Sequence, residues 1–103
     1  MAEKNFTLML YYVPEDKDDI DVPNAFGIKK AIDDIRLTDV QSQFPLEGQY
    51  HFRFKYKYGS EYVWLDLVNP NCKIPTVDGQ VIMKVTRKSW GTEPSTLIVL
   101  IHN

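Results

Sequence analysis

Cysteine, histidine and glycine are scarce in this chain of 103 residues, and their scarcity removes most of the chemistry a small domain can carry. Its one cysteine, Cys72, cannot close an internal disulfide, and Met1-Ala2-Glu3-Lys4-Asn5 opens no apolar leader. Both observations predict a reducing, cytoplasmic setting. His51, His102 and Cys72 are too few, and too far apart in sequence, to form a zinc site. The five glycines stand singly, so no glycine-rich loop is present to cradle a phosphate. The longest aliphatic run, Leu97-Ile98-Val99-Leu100-Ile101, falls far short of the roughly 20 residues of a membrane-spanning helix.

The acidic stretch EDKDDIDVPNAF has the carboxylates of a calcium loop. It lacks the central glycine and the closing bidentate glutamate such a loop requires. A catalytic pair is equally hard to assemble, because His51 falls on the charged face of a strand and Cys72 in a loop beside Pro70 and Lys73. No catalytic residue, cofactor or metal is expected, and the chain is not expected to be an enzyme. With 12 basic and 14 acidic residues the net charge is −2, which disfavours nucleic acid as a partner. Membrane is not expected as a partner either.

What the chain does have is alternation. Phe6 to Val13 reads as a first strand stopped by Pro14. Ile28, Ala31, Ile32 and Ile35 recur at helical spacing, but Pro23, Gly27 and Asp33-Asp34 divide the stretch; a second strand over 24–30 and a helix over 37–44 are predicted. Val81, Met83 and Val85 define the inner face of a later strand over 80–86, and Ser95 to Ile101 reads as a terminal one. At this length the chain is one domain.

Aromatic residues concentrate in QYHFRFKYKYGSEYVWLDL, Gln49 to Leu67. Tyr50, Phe52, Phe54, Tyr56 and Tyr58 share one face of a strand, and His51, Arg53, Lys55 and Lys57 share the other. After Gly59-Ser60-Glu61 the alternation resumes with Val63, Leu65 and Leu67 opposite Tyr62, Trp64 and Asp66. Aromatics and cations on opposite faces of one strand do not make a stacking platform for single-stranded nucleic acid. This next strand has no clean polar face, since Tyr62 and Trp64 remain after a core face is assigned.

IRLTDVQSQF, GQYHFRFKYKYGSEYVWLDL and KIPTVDGQVIMKV, in that order, resemble the DIX domain of Dishevelled, Axin and Dixin. The likeness runs over about residues 6–88 and is tightest at Ile74-Pro75-Thr76-Val77-Asp78-Gly79-Gln80-Val81, with Leu10-Tyr11-Tyr12 similar to the first strand. It implies an α+β, ubiquitin-like β-grasp fold: a mixed five-stranded sheet of order 2-1-5-3-4 with one main helix. A strand within 91–103 is additional to the family pattern. The resemblance also implies a non-enzymatic protein-interaction module that self-associates head-to-tail into oligomers or filaments and acts as a scaffold in signalling, with other DIX-like domains as further partners.

On that pattern the strand-two contact falls to Asn24, Phe26, Ile28, Lys29 and Lys30, and the strand-four contact to Tyr62, Val63, Trp64 and Asp66. This chain has asparagine or phenylalanine where the family carries an interface tyrosine. Lys29 and Lys30 are expected to face Glu61 or Asp66 of a neighbour, and Val40 to face the core. The alternative is a monomeric ubiquitin-like adaptor that binds another protein by the same edge, with the terminal strand preventing polymerisation.

Overall fold

A ten-residue strand with alternating large apolar side chains needs cover on one face only, and that requirement organises the domain. In the computed structural model, which describes residues 5–89, the strands are β1 (Thr7–Tyr12), β2 (Asn24–Ile28), β3 (Gln49–Tyr58), β4 (Glu61–Asp66) and β5 (Val81–Ser89). Among the described residues the one α-helix, α1, is Leu37–Gln43, and 3-10 turns form at Pro14–Asp16 and Ile32–Asp34. The strand predicted over 95–101 lies outside the described residues. The sheet order is β2-β1-β5-β3-β4, with β1 and β5 parallel and the other neighbours antiparallel. This mixed sheet with one helix is the ubiquitin-like α+β fold the sequence led us to expect.

The helix covers one face. Met9, Tyr11 and Val13 from β1 and the residue after it, Ile28 from β2, Phe52 and Phe54 from β3, and Val81, Met83 and Val85 from β5 meet Leu37 and Val40 of α1 in a continuous apolar core. Val40 is completely buried, as the family resemblance implied. Phe44, at the C-terminal end of α1, extends that core as a ring hub. Its centroid lies 5.0 Å from Tyr11, 5.7 Å from Phe26, 4.9 Å from Tyr50 and 5.1 Å from Phe52, each pair edge-to-face. Rings prefer that geometry because the positive edge of one meets the negative face of the other.

The inner face of β3 outruns this cover. A seven-residue helix is only about 10 Å long, and Tyr56 and Tyr58, on the same face as Phe54, are 40% and 72% exposed. At the other end of the sheet Arg87 of β5 ties down the first connection: its guanidinium donates to both carboxylate oxygens of Asp16 at 2.8 and 3.0 Å.

Turn chemistry fixes the remaining registers. Asp78 and Gly79 both have positive φ, 52° and 78°, and Val77 and Gln80 exchange backbone hydrogen bonds around them. Two consecutive left-handed residues suit a tight turn, and Asp-Gly is the pair that tolerates it best. This turn delivers the chain into central strand β5. Residues 28–35, whose spacing also suits a helix, split instead: Ile28 is buried in β2, Ile32 lies in a 3-10 turn, and Ile35 is buried just before α1.

Candidate functional site

Five strands in this order leave β2 and β4 outermost, each paired on one side only among the described residues. An edge strand presents unpaired backbone donors and acceptors to any chain that can complete them. The two edges differ in side chains, so the molecule has two unlike surfaces.

On β2, Asn24 donates from Nδ2 to Asp18 Oδ2 at 2.7 Å, which holds the acidic connection against the start of the strand. Phe26 is half-buried, its ring edge-to-face with Tyr11 at 5.8 Å and with Phe44. Ile28 is fully buried, so its side chain serves the core and it can offer a neighbour only backbone. Lys29 and Lys30 lie just beyond the end of β2. Lys30 Nζ pairs with Asp39 Oδ1 at 3.0 Å, and its carbonyl accepts from the Thr7 hydroxyl at 2.8 Å. Asp39 in turn accepts from the Arg36 backbone N–H at 2.9 Å. That hydrogen bond first, and the Lys30 ammonium second, hold the Asp39 carboxyl below its ordinary pKa.

On β4 the register sets which face each residue takes. Lys55 pairs with Trp64, Lys57 with Tyr62 and Arg53 with Asp66, so all six side chains stand on the sheet face away from α1. Aromatics and cations are segregated on β3 alone but not on the sheet, because β4 brings its rings to the cationic side of β3. Lys55 Nζ sits 4.9 Å above the Tyr62 ring, and Lys84 Nζ 5.0 Å above Trp64.

Trp64 also reaches across the sheet to Tyr12 of β1, with ring centroids 6.0 Å apart, and is half-buried, while Tyr62 stays 51% exposed. Trp64 thus leans over its own sheet, and Tyr62 projects more. Val63 lies on the helix face and is 39% exposed. Asp66 accepts from Arg53 Nε at 3.2 Å and lies 2.8 Å from His51 Nε2. The His51 contact first, with Arg53, depresses the Asp66 pKa. Lys30 and Asp66 thus have partners within their own molecule. No ion pair holds Lys29 or Glu61 among the described residues.

Three features of this surface were not singled out in the sequence. Ala25 and Gly27 are the two β2 residues on the helix-free face, and both are exposed. The Phe6 ring lies over Gly27 so closely that a Cβ there would sit 2.3 Å from Phe6 Cζ. Beside it, Phe6, Leu8, Leu10, Ala31 and Ile32 line a hollow of about 560 Å³. Among the described residues no group of three acidic, histidine or cysteine side chains is placed to hold a metal ion, and no helix is long and apolar enough to cross a membrane.

A five-stranded mixed sheet in this order, with one helix among the described residues, defines the class as a ubiquitin-like β-grasp fold. Within that class the DIX domain family profile matches residues 6–85, and the chain belongs to that family, whose members are interaction modules. Among solved structures it is similar to a mutant of the SOSEKI polymerising domain, with a TM-score of 0.61 and 18% identity over 80% of this chain and 96% of that one. At that identity the likeness speaks for the fold. No curated protein shows significant sequence similarity to the chain.

Proposed function

We propose that this domain is a non-enzymatic scaffold module that self-associates head-to-tail, β2 of one copy pairing with β4 of the next. The observation that carries the reading is the sheet order, which among the described residues leaves two different edges, β2 and β4, unpaired on opposite sides of one sheet. Unlike edges give a heterologous contact, and a heterologous contact that does not close grows into a filament. Family membership supports this, and the similar solved domain is described as polymerising. Backbone pairing supplies the affinity, and the side chains that flank each edge supply direction. Weak contacts repeated along a filament raise the local concentration of whatever binds each copy, which is how such a module acts as a cytoplasmic scaffold. Other DIX-like domains with the same pair of edges are the natural co-assembling partners.

Light scattering over a dilution series tests the proposal. The weight-average mass is expected to climb with concentration past the dimer without a plateau. A mass that stays at the monomer throughout contradicts it, and leaves an adaptor that offers one edge to a different protein.

A further inference from the structure

Strand registers within one molecule also specify how two molecules meet. Ala25 is opposite Leu10, Leu10 opposite Ile82, and Lys55 opposite Trp64. Because Phe54 pairs with Met83, the next step along those strands sets Lys55 beside Ile82. Ala25, Leu10, Ile82, Lys55 and Trp64 therefore form one row across the helix-free face, from one edge to the other. Two residues along, Gly27 and Tyr62 end the adjacent row, since β2 runs antiparallel to β4. A copy placed beside this one with the sheet continued in the same rows puts Trp64 beside Ala25 and Tyr62 beside Gly27.

The sizes match. The β2 edge carries on this face only Ala25 and a glycine over which the chain's own Phe6 ring lies, and the β4 edge carries two aromatic rings. From this we infer that the head-to-tail contact, on which this inference rests, is antiparallel and in the register Ala25 opposite Trp64 and Gly27 opposite Tyr62, with a second copy of the chain as the occupant of the β2 edge. Trp64 leans toward its own Tyr12 and Lys84. Tyr62 is thus the ring that crosses, meeting the Phe6 ring that lies over Gly27. Gly27 is already covered by its own Phe6 ring, so the contact in this register is ring against ring. On the helix side the same register sets Val63 beside Phe26, apolar against apolar. A shift by one residue would turn both rings to that side, where Phe26 already fills the space.

Cysteine cross-linking reads the register. One preparation carries Ala25→Cys and another Trp64→Cys, Tyr62→Cys or Asp66→Cys, all with Cys72→Ala. Directly opposed residues have Cβ atoms about 4.5–5.5 Å apart, within reach of a disulfide, whereas a two-residue offset adds about 7 Å along the strand. The Ala25→Cys and Trp64→Cys mixture is expected to yield at least about tenfold more cross-linked dimer than either offset mixture. Tyr62→Ala, which leaves Trp64 in place, is expected to weaken self-association about 30-fold, the effect of losing a buried aromatic anchor. Preferential cross-linking in an offset mixture, or assembly unchanged in Tyr62→Ala, overturns the register while wild-type assembly stands. A wild type that never assembles overturns the head-to-tail reading itself, and the register with it.

Discussion

Phe44→Ala is the substitution that most severely tests the account of how the edge is supported. Phe44 is half-buried and touches four rings edge-to-face: Tyr11, Phe26, Tyr50 and Phe52. Truncating a fully buried phenylalanine costs about 3–5 kcal/mol, and half-burial reduces that to about 2 kcal/mol. Edge-to-face pairs add about 0.5–1.5 kcal/mol each beyond area, but contacts sharing one ring are not additive. The expected loss is about 3 kcal/mol, or a fall in Tm of roughly 12–24 °C for a domain of this size. Urea unfolding of wild type, Phe44→Ala and Phe44→Leu measures it, with Phe44→Leu recovering about half because it refills the volume without the ring edges. Since Phe26 of β2 leans on Phe44, Phe44→Ala is also expected to weaken self-association below its unfolding temperature. A loss under about 1 kcal/mol would refute the hub and the coupling of α1 to the β2 edge.

Val40→Ser places a hydroxyl at a site with no solvent exposure, and thermal unfolding is expected to show a loss of roughly 2–4 kcal/mol; an unchanged Tm would remove Val40 from the core. Asp39→Asn removes the acceptor of the Arg36 N–H and the partner of Lys30, at a cost of about 0.5–2 kcal/mol at neutral pH. Because the folded Asp39 pKa is depressed, that stability is present above the unfolded carboxylate pKa of about 3.9 and is lost as pH falls through the folded value. The gap between wild type and Asp39→Asn in urea unfolding should therefore close as the pH is lowered through the folded value, and a gap that persists in strong acid refutes the charge-based cap. The double substitution His51→Ala and Cys72→Ala is expected to keep fold and self-association, while NMR titration shows the Asp66 carboxyl rising toward its ordinary range; loss of activity in a folded variant would argue for chemistry at those residues.

Period-two alternation carried most of the fold. Gln49–Tyr58 and Val81–Ser89 alternate clearly, while Thr7–Tyr12 is a nearly unbroken apolar run and Glu61–Asp66 carries large side chains on both faces; Ile74 to Val81 marked the entry to the last strand. The edges became legible only through the family likeness, because nothing in Asn24–Ile28 alone says which neighbour it lacks. Side-chain roles were read less well where they depend on pairing between distant segments. Ile28 is the last residue of an edge strand, yet it faces the core because Thr7, its partner in β1, is buried too. Phe26 is held by Tyr11 and Phe44, which come from other elements. Trp64 leans over the sheet because β5 sets Lys84 beneath it and β1 sets Tyr12 beside it. Ala25 and Gly27 were passed over because small residues show their purpose only when the opposite edge is seen to carry large ones.

Sedimentation velocity on two edge variants, alone and mixed, tests head-to-tail assembly most directly. Tyr62→Asp spoils β4 and leaves β2 intact; Ala25→Asp spoils β2 and leaves β4 intact. Each buries an unpaired charge at the contact and is expected to be monomeric alone. Mixed at equal concentration they retain one good pair of edges, and the account predicts a capped heterodimer that grows no further. Two folded variants that stay monomeric when mixed at concentrations where the wild type assembles would contradict the pairing of β2 with β4.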